Sequence, residues 1–227
     1  MSREKIVLIT GASQGIGREV AYQFAKEQYK LVITFNKEKK EAEKTAEQCH
    51  KLGSKDVLVL QLDVTDDMSI KKCVKTTLLK YPMIDILVNN AGVFACLPLE
   101  KQDFSLIESQ VRTNVEGLIK LTQLLLPAIK ESIFNVASAA GKIPYAEMTT
   151  YCATKFAVRG FTQALALERK QIKVYTVNPG TTATRMTNFE GVAPATVATS
   201  ILQTVKKNYT LNSGSDIDVW KQLGIEP

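Results

Sequence analysis

The apolar positions of this chain change period again and again along its length. Six mainly apolar runs have the length and β-branched content of buried strands: Ile6-Val7-Leu8-Ile9, Leu31-Val32-Ile33-Thr34, Val57 to Leu62, Ile84 to Val88, Ile133 to Ala137 and Val174 to Val177. Between them, apolar residues recur at helical spacing. That spacing predicts a helix over Gly15 to Gln28 with Ile16, Val20 and Phe24 turned inward. Others are expected from about Lys39 to Leu52, Asp67 to Tyr81, Phe104 to Ile129, Thr149 to Lys170 and Pro194 to Lys207. A loop over Thr181 to Val192 and a short last strand from Ile217 to Trp220 complete the pattern. Strands that are apolar along nearly their whole length, alternating with helices, imply an α/β fold, a parallel sheet of about seven strands covered on both faces. Right-handed crossovers make it doubly wound, with ligands held at the carboxyl ends of the strands. No Pro/Ser-rich linker, low-complexity tract or solenoid-period repeat interrupts residues 1–227, so one domain is expected.

Composition narrows the function classes. The 227 residues are 45% hydrophobic and 23% charged, enough for one sizeable core. No run approaches the ~20 apolar residues of a membrane span, and Met1-Ser2-Arg3-Glu4-Lys5 leads into the first strand without the pattern of a cleaved leader. Cys49, Cys73, Cys96 and Cys152 are scattered and His50 is the only histidine, which speaks against a disulfide framework or a metal site and for a reducing cytoplasm. The net charge is +6, but Lys37, Lys39, Lys40 and Lys44 interleave with Glu38, Glu41, Glu43 and Glu47, as solvated helix faces do. Neither nucleic acid nor membrane is an expected partner; a small phosphate-bearing ligand explains a local need for cations.

Candidate chemistry sits at two places. The turn after the first strand reads Thr10-Gly11-Ala12-Ser13-Gln14-Gly15-Ile16-Gly17 and opens a helix. Glycines let the backbone approach a pyrophosphate, and the helix N-terminus offers N–H groups and a positive dipole end. The acid that holds a ribose 2′-hydroxyl in NAD-binding folds is missing from the end of the second strand. That segment reads Thr34-Phe35-Asn36-Lys37, and Asn36 and Lys37 could bond a 2′-phosphate or be an ordinary surface turn. NADP is favoured, with NAD possible. Further along, Tyr151 and Lys155 are one helical turn apart. A cation there stabilises the phenolate and brings a phenol, whose ordinary pKa is about 10, toward working range. Ser138, at a strand end, could bind the same substrate oxygen. Tyr22 and Lys26 have the same spacing with no such company, and are expected to be a solvated face.

These segments together resemble the short-chain dehydrogenase/reductase family, in its single-domain form, over nearly the whole chain. Thr10 to Gly17 resembles its glycine loop, Asp63-Val64 its adenine-side pair, and Asn89-Asn90-Ala91-Gly92 its motif after the fourth strand. Asn114, Ser138, Tyr151 and Lys155 match its four catalytic positions, and Asn178-Pro179-Gly180 with Thr182 and Thr184 its nicotinamide segment. The resemblance implies a Rossmann-like fold in which one domain both binds dinucleotide and reacts. It implies that Tyr151 protonates the substrate oxygen, that Lys155 lowers the Tyr151 pKa and bonds the nicotinamide ribose, and that Ser138 holds the carbonyl. It further implies a water on Asn114, adenine contacts from Asp63 and Val64, and a carboxamide fixed by Thr182 and Thr184. Asp63 has an alternative role as cap of the following helix, and Asn89 and Asn90 as a clamp between strand and loop.

The expected activity is that of an NAD(P)(H)-dependent oxidoreductase interconverting ketones and secondary alcohols, of 3-oxoacyl-reductase or general carbonyl-reductase type. The alternative is a non-catalytic NADP(H)-binding sensor or scaffold. The segment between Thr184 and Pro194 is short, so a small lid and an open pocket are expected. Its candidate walls are Phe94, Ala95, Cys96, Ala140, Ile143, Tyr145, Met148, Met186 and Phe189. Homodimers or homotetramers are expected, because the helices over Phe104 to Ile129 and Thr149 to Lys170 are apolar on more than one face.

Overall fold

The computed structural model describes residues 4–225. Seven strands form one parallel sheet: β1 (Ile6–Ile9), β2 (Lys30–Phe35), β3 (Val57–Gln61), β4 (Ile84–Asn89), β5 (Ile129–Val136), β6 (Lys173–Asn178) and β7 (Asp216–Asp218). Their order is β3-β2-β1-β4-β5-β6-β7. The winding reverses between β1 and β4, and a crevice opens there at the carboxyl edge. The helices are α1 (Gly15–Lys26), α2 (Lys39–Lys51), α3 (Asp67–Lys80), α4 (Phe104–Val111), α5 (Gly117–Leu125), α6 (Thr149–Glu168), α7 (Pro194–Val205) and α8 (Val219–Leu223).

Strand alternation divides the core into two layers. Val7, Ile9 and Ile33 point to one face, where Val20 and Phe24 of α1, Ala46 of α2 and Val197 and Ile201 of α7 cover them. Leu8, Val32 and Leu87 point to the other, under Ile70 and Val74 of α3, Leu121 and Leu125 of α5 and Leu165 of α6. Tyr22 is half-buried against the first layer rather than solvated. No helix of the described residues is long and apolar enough to cross a membrane.

Three departures from the sequence reading have local causes. The helix expected over Phe104 to Ile129 is broken: a π-helical turn at Arg112–Glu116 separates α4 from α5, and a 3₁₀ turn at Leu126–Ala128 ends it. Gly117 starts α5 so close to the backbone after β3 that a Cβ there would lie 2.8 Å from Val64 Cβ. An extra residue in the preceding turn accommodates that approach. Pro127 stops the helix, so β5 begins at Ile129, ahead of the expected Ile133. The last strand ends at Asp218; Val219 and Trp220, assigned to it by pattern, are buried in α8 instead.

Candidate active site

A cleft of about 700 Å³ runs along the carboxyl edge of the sheet. At its centre is the β1–α1 turn, where Gly11 and Gly15 take φ values of +65° and +56°, which residues with a Cβ rarely adopt. The first turn of α1 carries no acidic residue, and Gln14 makes no capping hydrogen bond to it, so its amides are left for an anion. Gly11, Ser13, Gln14, Gly15 and Ile16 all line the cleft; Gly17 does not. Gly17 is a packing residue, since a Cβ there would lie 2.6 Å from Asn90 Nδ2.

That Asn90 amide donates to the carbonyls of Thr10 (2.9 Å) and Gly11 (3.2 Å). The Thr10 hydroxyl in return accepts from the Asn90 and Ala91 amides at 2.8 and 2.9 Å. Asn90 therefore ties the glycine loop to the end of β4 while Asn90, Ala91 and Gly92 line the cleft. Asn89 points away, donating to Thr122 and to Asn135.

At the adenosine end lie Asn36, Lys37, Asp63 and Val64, with Glu38 and Thr65, which sequence reasoning did not single out. Burial would raise the Asp63 carboxyl, but hydrogen bonds from Thr65 and Asn36 and the nearby Lys37 cation hold it below its ordinary value. The cap of α3 is Asp66, which accepts from the Met68 amide at 2.9 Å, so Asp63 does not serve that alternative role.

At the opposite end Ser138, Tyr151 and Lys155 converge. Ser138 follows β5 and caps a 3₁₀ turn, Ala139–Gly141, whose last residue presses on α6: a Cβ on Gly141 would lie 2.8 Å from the Lys155 carbonyl oxygen. Tyr151 and Lys155 are buried on the face of α6 that meets this turn. Burial pushes the Tyr151 phenol up to about 12, against a hydrogen bond from Ser138 that lowers it. Burial drops Lys155 to about 8. The ammonium donates to the Val136 carbonyl at 3.1 Å and stands 5.5 Å from the Tyr151 ring centre. Ser138 is thus the group that lowers the phenol in this geometry, and desolvation outweighs it. Pro179, Gly180, Thr182 and Thr184 line the cleft opposite.

Asn114 is placed in the π-helical turn, 1% exposed, and does not line the cleft. Its side chain pairs with the backbone of Val93 and with Thr154. Of the expected walls, Phe94, Ala140, Tyr145, Met148 and Met186 line the cleft, whereas Ala95, Cys96, Ile143 and Phe189 do not. Phe94 packs edge-on to Tyr151 with ring centres 4.8 Å apart. Sequence reasoning missed Val93 and Thr181, which join the lining from loops whose course it does not specify, and Ser109 and Thr113, which join it from α4 and the π-helical turn.

The segment expected as a small lid is self-bonded. Thr182 and Val192 bridge, and the Ala183 amide donates to Val192 O at 2.8 Å. The Thr187 hydroxyl donates to Thr182 O at 2.6 Å and accepts from the Thr184 amide at 3.2 Å.

A dinucleotide fits this arrangement: a bare-amide helix start in mid-cleft, polar groups at one end, and a buried Ser-Tyr-Lys set at the other. The family model for short chain dehydrogenase matches residues 5–195. Dehydrogenase/reductase SDR family member 7 of Mus musculus is 35% identical over 175 residues, covering 74% of this chain and 52% of its own length. The chain thus spans about half the length of the first curated relatives it matches. Among solved structures, a short chain dehydrogenase from Burkholderia cenocepacia in complex with NADP superposes with a TM-score of 0.87 at 27% identity, over 94% of this chain and 95% of the other. A 3-ketoacyl-(acyl-carrier-protein) reductase from Brucella melitensis complexed with NADH does so with a TM-score of 0.87 at 29% identity, over 96% and 98%.

Proposed function

The chain belongs to the short-chain dehydrogenase/reductase family, and from that premise we propose that it interconverts a ketone and a secondary alcohol using NADP(H). The single observation that carries this is the convergence of Ser138, Tyr151 and Lys155 at one end of the cleft, with the glycine turn between them and Asn36–Lys37. When bound, the cofactor supplies or accepts hydride. Tyr151 then gives its phenolic proton to the substrate oxygen, Ser138 orients that oxygen, and the Lys155 ammonium offsets the negative charge left on Tyr151. Thr182 and Thr184, which line the cleft, would hold the carboxamide, while Asp63 and Val64 would meet the adenine. Asn36 and Lys37 suit a 2′-phosphate, which favours NADP over NAD.

The walls Phe94, Ala140, Tyr145, Met148 and Met186 are apolar and suit an acyl or alkyl ketone; likeness to a 3-ketoacyl reductase supports the 3-oxoacyl type. Incubation with NADPH and a panel of ketones and 3-oxoacyl thioesters tests the reading, with Tyr151→Phe as control. The expected result is turnover lost by about 10²–10⁴-fold in the variant with NADPH binding retained. Tight NADPH binding with no turnover of any ketone would instead support a sensor or scaffold.

A homo-oligomer, a dimer at minimum, also belongs to this reading. Leu118, Leu121, Leu125, Val158 and Leu165 are buried within the chain itself, so the spare apolar face is smaller than the sequence suggests. Phe104 (89% exposed), Leu124 and Phe156 remain on α4, α5 and α6 for a partner. Light scattering that gives the mass of a single 25.1 kDa chain at micromolar concentration would sink this assembly. Four unpaired thiols, three of them buried, favour a reducing cytoplasm.

A further inference from the structure

Outside the cleft, the carboxyl ends of β6 and β7 hold a cluster of charges that the proposed reaction does not use. Parallel pairing sets Thr176 against Asp216 and Asn178 against Asp218, so the two carboxylates point to one side of the sheet end. Lys142 lies between them, 2.7 Å from Asp218 Oδ2 and 3.2 Å from Asp216 Oδ2. The Arg159 Nε–H reaches both Asp216 oxygens, at 2.9 and 3.0 Å. The Asn178 amide donates to Asp216 at 3.1 Å and to Asp218 at 3.0 Å. Lys221 reaches Asp218 at 3.1 Å from the solvent side, with its side chain 67% exposed. The carboxylates are largely buried, at 14% and 9% side-chain exposure.

Each inner member of this cluster belongs to a different limb of the site. Lys142 directly follows the 3₁₀ turn that Ser138 caps. Asn178 ends β6 and precedes Pro179–Gly180, and the Pro179 carbonyl accepts from the Ala139 amide at 2.7 Å. Arg159 is one helical turn beyond Lys155 on α6. Three separate limbs are therefore fastened to one pair of carboxylates on β7. If the cluster served only stability, it would not need to join these particular segments, and largely buried ion pairs contribute little net stability over apolar packing.

We propose that Asp216 and Asp218 with Lys142 form a positioning device that fixes the Ser138 turn relative to α6 and to the Pro179–Gly180 segment. The claim rests on the reading that Ser138, Tyr151 and Lys155 are the reacting set. Positioning matters because a displacement of about 1 Å at reacting groups costs on the order of 10²-fold in rate. Lys142 is the informative position, since it ties the Ser138 turn alone and leaves Asn178 and Arg159 on their carboxylates.

The test compares Lys142→Met, Lys142→Arg and Lys221→Met in the full chain. Lys142→Met is expected to lower kcat by about 10- to 100-fold, with the NADPH Kd unchanged, and Lys142→Arg to recover most of it. Lys221→Met, which loosens an exposed pair, is expected to leave kcat within about twofold. Amide chemical shifts give a readout independent of turnover: in Lys142→Met those of Ala139, Ala140, Gly141 and Gly180 should move while those of α2 stay fixed. A lowered melting temperature with unchanged kcat and unmoved shifts would overturn the proposal. Should the wild-type protein reduce no ketone, the activity reading falls, and the chemical shifts alone then decide whether Lys142 positions the turn. An unfolded Lys142→Met protein moves the comparison to Asp218→Asn, which keeps size and one acceptor oxygen but removes the charge that holds Lys142, and is expected to shift the same amides.

Discussion

Asn114 holds Val93 by both of its backbone polar groups: the Val93 amide donates to Asn114 Oδ1 at 2.8 Å, and Asn114 Nδ2 donates to the Val93 carbonyl at 2.9 Å. The same Nδ2 donates to Thr154 Oγ1 at 3.1 Å, one residue before Lys155. An asparagine in a π-helical turn of one segment thus pins the cleft wall after β4 to the helix that bears Tyr151. Its mate Gly92 is as tightly fitted, since a Cβ there would lie 3.2 Å from Asn114 Oδ1. Replacing Asn114 by Ala leaves two backbone groups of Val93 without this partner, a loss of about 1–3 kcal/mol. Denaturant unfolding should show that loss, and turnover should fall with it because the wall and α6 are no longer tied.

Lys155 imposes a cost on the folded chain at neutral pH. Its folded pKa is about 8, below the 10.5 of an ordinary lysine, because burial disfavours the ammonium. Below about 8 both states are protonated and the burial cost is fully present. Between about 8 and 10.5 the unfolded chain binds more protons than the folded one, so raising the pH relieves that cost. Lys155→Met should therefore raise the melting temperature of the cofactor-free protein near pH 7, and the advantage should fade as the pH climbs through that window. An advantage independent of pH would show that Lys155 is not the titrating group. The same variant should weaken NADPH binding and turnover together, if Lys155 touches the ribose as well as supporting Tyr151.

Gly17 to Ala should disturb the cofactor turn although Gly17 does not line the cleft. The new methyl would be forced against the Gly11 carbonyl and Asn90 Nδ2, the pair that closes the turn onto β4. Overpacking of this kind costs about 1–3 kcal/mol. Isothermal titration should show weaker NADPH binding, and thermal unfolding a lower midpoint.

Cofactor choice should respond at Asn36 and Lys37. Phe35 is buried, so an acid there would cost folding energy before it met a ribose. Asn36→Asp instead places a carboxylate on the cleft, where it can accept from ribose hydroxyls and repel a 2′-phosphate. Its kcat/KM ratio for NADPH over NADH should fall by about tenfold or more, as one lost charge-assisted contact predicts. Lys37→Ala should lower the NADPH value alone. A wild-type protein that already prefers NADH would refute both.

The strands were legible because a parallel sheet buried on both faces needs uninterrupted apolar runs, and Val7 to Ile9 or Leu31 to Ile33 can serve little else. Tyr151 and Lys155 were legible because helical spacing places them on one face of α6. The hold of Asn114 on Val93 was not, since it joins residues 21 apart through the π-helical turn. That turn runs directly into the close approach of Gly117 to Val64, a contact no local pattern announces. The same holds for Asp216 and Asp218, whose partners follow from sheet register rather than from spacing along the chain. Burial misled the charge reading at Tyr151, where desolvation raises the phenol by more than the Ser138 hydrogen bond lowers it.

The small rim formed by residues 182–192 already pairs much of its own backbone. Thr187 bridges its two sides, and the Val192 amide donates to Thr181 O at 3.0 Å. Segments that order themselves around a guest charge it the entropy of that ordering. Here much of that ordering is already present in the chain without a guest, through the bonds among Thr181, Thr182, Thr187 and Val192. A rim that arrives with its bonds made asks less ordering of what enters, and leaves the fit to the side chains that face the cleft.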